Sequence, residues 1–229
     1  MPLQKFNNLS LQIKQFGLHD FVMLKITENH YRRKIKKLGI TYSLGRGELH
    51  TVNNNSLNKD SRLNECTAYY IIKKGIQVTG LKYHSIELLD IGCGNGKVLT
   101  YGMYKKCKQV IGIDLDKEGL GIADKNCTQM NRKGFTTLFK THYADACEFT
   151  IPAGINVIYI ANPFGEKTME SVLKNIVRYY NTQKKDLYII YAVSVHRHIF
   201  EQHHQCRKMF EGFNGTQIHP ELVVYKIFH

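Results

Sequence analysis

The chain has 229 residues, 43% of them hydrophobic, which is enough for one α/β domain with an appended segment and too few for two full domains. A formal net charge of +13 favours anionic partners such as nucleic acid, acidic polymers or membrane headgroups. The six cysteines are scattered without a C-x-x-C pair, which argues against a disulfide framework and for free thiols in a reducing compartment. The opening "MPLQKFNNLSLQIKQFG" lacks the apolar core of a signal peptide, and no apolar run approaches the roughly 20 residues of a membrane span, so a cytoplasmic protein is expected.

Residues 1–80 form an N-terminal helical and loop segment by pattern. Helical spacing covers 17–38, with Leu18, Phe21, Val22, Tyr31, Ile35 and Leu38 as its apolar face. The run "YRRKIKK" (31–37) on this helix is either a phosphate grip or a solvated face. The stretch that follows is rich in Gly and Asn and reads as a loop. Within it, 51–60 is either a lid over substrate or an idle linker. Ser61 is then placed to cap a helix that stops at Gly75.

Residues 81–229 alternate strand and helix. Short apolar strand candidates occupy 86–92, 109–115, 137–144, 156–162 and 186–195. Between them, Leu120, Ala123, Cys127 and Met130 step at helical intervals before Gly134. Met169, Val172, Leu173, Ile176, Val177 and Tyr180 do the same after Thr168, a candidate N-cap. This alternation implies βαβ units and a doubly wound, mostly parallel sheet. At the C-terminus, "KMFEGFNGTQIHPELVVYKIFH" offers two strand-like runs with no room for a helix between them. It therefore predicts a closing hairpin whose last strand is antiparallel to its neighbours.

The stretch "LLDIGCGNG" (88–96) is an apolar strand, an acid and Gly92-Cys93-Gly94-Asn95-Gly96, followed by a helical pattern. Such glycines let the backbone turn off a sheet and let a ligand approach the main chain. A nicotinamide fingerprint would space its glycines differently, and a P-loop would need Ser or Thr after Lys97, where Val98 stands. Asp90, just before the glycines, suits an ammonium group rather than a phosphate. Asp114 closes the next strand, where a carboxylate accepts ribose hydroxyls or else caps the following helix. Asp145 follows the third strand. All three acids fall at carboxyl ends of strands, the side on which open α/β sheets bind ligands.

These residues resemble the class I S-adenosylmethionine-dependent methyltransferases over about 81–229. The resemblance implies S-adenosyl-L-methionine as cofactor and a seven-stranded sheet ending in an antiparallel hairpin. It implies that Asp90, Gly92, Cys93, Gly94, Asn95 and Gly96 hold the methionine part of the cofactor. Asp114, followed by Leu115, would take the ribose, and Asp145 with the Ala146 backbone would meet the adenine amino group. In the fourth strand position the amino-group methylators of the family carry [D/N/S]-P-P-[Y/F/W], and this chain has Asn162-Pro163-Phe164, one proline short. In the full motif the Asn and a backbone carbonyl orient a target NH₂ toward the sulfonium methyl while the aromatic ring stacks on it, so positioning supplies much of the rate. The other reading is that Asn162 touches the cofactor and Phe164 packs in the core. The chain also resembles a bacterial-type subgroup that pairs this NPF motif with a helical N-terminal segment carrying tyrosines, here Tyr69 and Tyr70. That subgroup is distantly similar to Rossmann-type histone lysine methyltransferases.

"HRHIFEQHHQC" (196–206) completes no metal-ligand set with a carboxylate or second cysteine, so no metal is expected and a surface helix is. His196 or His142 would serve as base if the acceptor were a hydroxyl. The expected function is methyl transfer to an amino nitrogen of a nucleic-acid base or protein side chain. The alternatives are O-methylation of a saccharide or small metabolite, and a polyanion-binding module that keeps the fold without catalysis.

Overall fold

The computed structural model describes residues 3–42, 67–161, 164–183, 185–213 and 221–228. Seven strands form one sheet in the order β3-β2-β1-β4-β5-β7-β6. They are β1 (Glu87–Ile91), β2 (Gln109–Asp114), β3 (Leu138–Tyr143), β4 (Val157–Ile160), β5 (Leu187–Ala192), β6 (Cys206–Gly212) and β7 (Leu222–Ile227). The first five pair in parallel, and β7 runs antiparallel to both β5 and β6, as the closing hairpin predicts. Strands β1, β4 and β5 are central and buried on both faces, which is why they read as unbroken apolar runs.

One face of the sheet is covered by α5 (Glu166–Gln183) and α6 (Arg197–Glu201). The other is covered by α1 (Leu3–Lys37), α2 (Tyr69–Val78), α3 (Lys97–Tyr104) and α4 (Lys117–Arg132). The core of this second face runs without a break from Tyr31 and Ile35 of α1, through Tyr69, Ile72 and Ile76 of α2, to Leu88, Tyr159 and Val224 on the strands. Three tyrosines tie its helices together. Tyr31 lies 5.1 Å from both Tyr69 and Tyr101, ring centre to ring centre, and Tyr69 lies 6.0 Å from Tyr101. Each such pair adds about 0.5–1.5 kcal/mol beyond area burial. An isolated ten-residue helix is marginal in water, so α2 owes its stability to this packing.

Several elements depart from the sequence pattern for identifiable reasons. The first helix begins well before residue 17 and bends at Gly17, whose φ of 75° and ψ of 158° are not helical. Leu18 and Val22, expected on the apolar face of that helix, are exposed. The basic run behaves as a solvated face: Tyr31 and Ile35 are buried while Arg32, Arg33, Lys34, Lys36 and Lys37 are exposed. Helix α2 does not stop at Gly75 but continues to Val78. Gly75 serves close approach instead, since a Cβ there would fall 2.4 Å from Ile190 Cγ2 of β5. Ser61 and the segment 51–60 lie outside the described residues. Helix α5 starts at Glu166, two residues ahead of the expected Thr168 cap. Just before β4, Asn156 ties its side chain to the start of β1: Glu87 N–H donates to its Oδ1, and its Nδ2 donates to the Ser85 carbonyl. Helix α6 ends at Glu201, so His203, His204 and Cys206 share no helical face with His196 and His198. No helix among the described residues is long and apolar enough to cross a membrane.

Candidate active site

Strand β1 ends in the glycine loop. Gly92, Gly94 and Gly96 all have positive φ, and at Gly96 a Cβ would also fall 2.8 Å from Ala123 Cβ of α4, so only glycine lets the loop lie against that helix. The N–H groups of Gly92 and Cys93 both donate to the Ile113 carbonyl, which fastens the loop to the end of β2. Asp114 finishes the fastening. Its Oδ2 accepts the Gly94 N–H at 2.7 Å, and its Oδ1 accepts the Asp116 N–H at 2.9 Å. Leu115 lies between these two contacts.

The three predicted acids end three adjacent strands but sit in different surroundings. Asp90 is buried, and burial followed by the charge of Asp114 pushes its carboxyl well above the usual carboxylate range. Asp114 is also raised, chiefly by burial, while the loop hydrogen bonds pull the other way. Asp145 is exposed. Its Oδ1 accepts the Cys147 N–H at 2.9 Å, opening a turn in which Ala146 is buried. A buried carboxyl with a half-buried one close enough to raise it suits a cationic ligand, which restores the charged forms that burial disfavours. Cys93 beside them is held as a thiol, raised by burial and by both acids. The sulfonium and ammonium groups of S-adenosyl-L-methionine fit this requirement.

Asn95 has a role within the fold. Its Nδ2 donates to the Tyr42 carbonyl at 2.9 Å, and its own carbonyl accepts from Asn126 Nδ2 of α4 at 3.1 Å. Asn126 Nδ2 also donates to the Thr41 carbonyl at 2.9 Å, and Gln129 Nε2 to the Leu38 carbonyl at 3.0 Å. These contacts strap residues 38–42 over the outer side of the glycine loop. Glu28 of α1 accepts the Tyr69 N–H at the start of α2 and faces Lys97 Nζ at 3.9 Å, and that ammonium stands 4.2 Å from the Tyr69 ring centre. Neither Asn126 nor Glu28 stands out in the sequence. Asn126 could have been found as a polar residue at helical spacing from the apolar Ala123 and Met130.

Of the fourth motif, Asn162 and Pro163 lie outside the described residues. Phe164 is half-buried and packs against the core on the α5 side. His142 lies 5.5 Å from the Phe149 ring, and the His196 N–H donates to Tyr191 Oη at 3.1 Å. His198 Nε2 meets Glu166 at 2.7 Å, and His203 stacks on His204. Among the described residues no group of three or more His, Cys, Asp or Glu side chains gathers as a metal site. The described cysteines are unpaired thiols, and Cys66 lies outside them.

Residues 88–183 match the family model for a methyltransferase domain. No curated protein matches the chain. Among solved structures, an S-adenosylmethionine-dependent methyltransferase from Aquifex aeolicus is similar at 18% identity and a TM-score of 0.51, over 69% of this chain and 89% of that one. The ribosomal protein L11 methylase of Lactobacillus delbrueckii subsp. bulgaricus is similar at 11% identity and a TM-score of 0.51, over 70% and 77%. A Streptococcus pneumoniae protein described as a candidate tRNA (m1A22) methyltransferase is similar at 16% identity and a TM-score of 0.50, over 68% and 69%. At these identities the structural likeness is one of fold. Residues 88–183 are thus similar to a methyltransferase domain, and they sit in a fold that this chain shares with the S-adenosylmethionine-dependent methyltransferase from Aquifex aeolicus.

Proposed function

We propose that the protein methylates an amino nitrogen on an anionic acceptor, a nucleic-acid base above all, with residues 1–80 helping to roof the acceptor site. The observation that carries the site assignment is the placement of Asp90, Asp114 and Asp145 at the carboxyl ends of the adjacent strands β1, β2 and β3. The glycine loop 92–96 and Asp90 hold the methionine end, Asp114 with Leu115 the ribose, and Asp145 with the Ala146 backbone the adenine. Asn162-Pro163-Phe164 follows β4 in the sequence, and β4 pairs directly with β1; we assign this motif to the acceptor. The NPF motif is our reason for placing the chain in the bacterial-type subgroup.

The bound cofactor supplies an electrophilic methyl group on a sulfonium. Asn162 would orient the acceptor amino group toward that methyl, and solvent would take the proton that the methylated nitrogen releases. Positioning of this kind needs no strong base. The nucleic-acid preference draws on the net charge of +13, on the exposed basic run of α1 and on the neighbouring fold described as a candidate tRNA methyltransferase.

The test is transfer of a labelled methyl group from S-adenosylmethionine to bulk RNA, followed by digestion to nucleosides. The expected product is a base-methylated nucleoside. Asn162→Ala should lose that product while binding S-adenosylhomocysteine as wild type does. Label on ribose or saccharide hydroxyls, or an Asn162→Ala protein that is fully active, would refute the assignment.

A further inference from the structure

Three polar atoms near the carboxyl edge of the sheet are closed off from solvent and hydrogen-bond to no protein group: Asp90 Oδ2, Tyr159 Oη and Thr67 Oγ1. Asp90 and Tyr159 are register partners across β1 and β4, so their side chains leave the same face side by side. Tyr159 is fully buried, and Asp90 is 2% exposed. Thr67 stands just before Ala68, the N-cap of α2, and its hydroxyl adjoins that of Tyr159 without a well-formed bond between them. Packed cores rarely leave such groups unpaired, and a cluster of them marks a place for something the protein alone does not supply.

The chemistry of the cluster narrows what that is. Asp90 as a carboxylate only accepts hydrogen bonds, whereas each hydroxyl has a proton to donate. Burial holds Tyr159 firmly in its protonated, donating form. A lone carboxylate would be repelled by Asp90, and a lone ammonium could not accept from either hydroxyl. An α-amino acid group satisfies all three at once.

We propose that Tyr159 and Thr67 bind the carboxylate at the amino-acid end of the cofactor while Asp90 receives its ammonium group. Strand β4 and the N-terminal segment thereby complete the subsite that the glycine loop begins. The inference rests on the cofactor placement proposed above and adds two binding residues that no motif identifies. It also gives the N-terminal segment a direct part in holding the cofactor, because Thr67 belongs to the stretch that Glu28 of α1 anchors through the Tyr69 N–H.

The test compares two ligands by calorimetry. S-adenosylhomocysteine carries the amino-acid end, and 5′-methylthioadenosine keeps the nucleoside and thioether without it. Tyr159→Phe and Thr67→Val should each weaken S-adenosylhomocysteine by about tenfold or more, the loss expected for one hydrogen bond to a charged group. Both should leave 5′-methylthioadenosine within about twofold, and Thr67→Ser should restore the first affinity. Without ligand, Tyr159→Phe should melt no lower than wild type, since the lost hydroxyl had no partner. Equal weakening of both ligands, an unchanged affinity for S-adenosylhomocysteine, or a lower ligand-free melting temperature would each overturn the proposal. A wild-type protein that binds neither ligand would instead defeat the cofactor placement itself, and this inference with it.

Discussion

Replacing Asp114 with Asn changes one atom at the end of β2 and probes two functions together. The carboxylate now accepts two loop N–H groups, from Gly94 at 2.7 Å and from Asp116 at 2.9 Å. An amide can offer its oxygen to only one of them, and its NH₂ then confronts the other donor. The variant loses one charge-assisted hydrogen bond of about 1.5–3 kcal/mol. Part of this is offset, because Asp114 is half-buried and its carboxyl is raised, so removing the charge relieves a desolvation cost. A net loss of about 1–2 kcal/mol corresponds to a fall of roughly 2–8 °C in melting temperature for a domain of this size. The cofactor should suffer more. On the proposed placement, the remaining lone pairs of the same two oxygens accept the ribose hydroxyls, and the amide keeps only one such acceptor. One lost bond to a carboxylate weakens S-adenosylhomocysteine by about 10–150-fold. Calorimetry and thermal unfolding on the same samples separate the two effects. A variant that melts lower yet binds within about threefold of wild type would show Asp114 to be a loop fastener only, and the ribose assignment would fall.

Three further perturbations test other parts of the structure. Gly75→Ala gains up to about 1 kcal/mol of helix propensity, but its Cβ overlaps Ile190 Cγ2. Overpacking of about 1–3 kcal/mol should win, and urea unfolding that shows a stabilised variant would mean α2 does not rest on β5 as described. Asn126→Ala removes the bonds to the Thr41 and Asn95 carbonyls and the one received from the Thr41 N–H. It should raise hydrogen exchange at the Thr41 amide with a loss of roughly 1–3 kcal/mol in global stability, and unchanged exchange would contradict the strap. Asp90 is the pH probe. Its pKa is raised by burial and then by the charge of Asp114, so the folded chain keeps this proton to higher pH than the unfolded chain does. The stability it contributes is full below about pH 4 and is lost as pH rises through the folded value. Ligand-free Asp90→Asn should therefore melt above wild type at neutral pH, by a margin that shrinks toward pH 4. A margin independent of pH would refute the shift.

The sheet was legible because its central strands are buried on both faces and so appear as short apolar runs between turn residues. The glycine loop was legible because "LLDIGCGNG" combines a strand, an acid and three positive-φ positions. What the sequence hides are relations that exist only once strand order is known. Tyr159 looks like one more core residue in "VIYI" until β4 is seen to lie against β1, which sets it beside Asp90. Asn126 and Gln129 look like polar steps on α4 until residues 38–42 are found against them. Gly75 misleads for a related reason. A glycine near a helix end usually serves a left-handed cap, but here the requirement is the distance from α2 to the sheet, which no local pattern encodes. Thr168 failed as a cap because good helix formers precede it, and Gly165 already accepts the Met169 N–H.

The charges of the protein divide in a way that fits a cationic cofactor and an anionic acceptor on one molecule. The acids Asp90 and Asp114 are recessed at the strand ends, whereas the five basic side chains of the α1 run are exposed at the end of that helix. Residues 38–42, which follow the run directly, are strapped to the glycine loop and to α4, so the C-terminal end of the run is held near that loop. Recessed acids are screened by protein from an arriving polyanion, while exposed lysines and arginines act over a Debye length of about 8 Å at physiological salt. On the proposed function, the run draws an anionic polymer toward the glycine loop while the recessed acids face the cation. An apolar or cationic acceptor would gain nothing from this arrangement, which is why the basic run supports the proposed acceptor class even though, residue by residue, it is an ordinary solvated helix face.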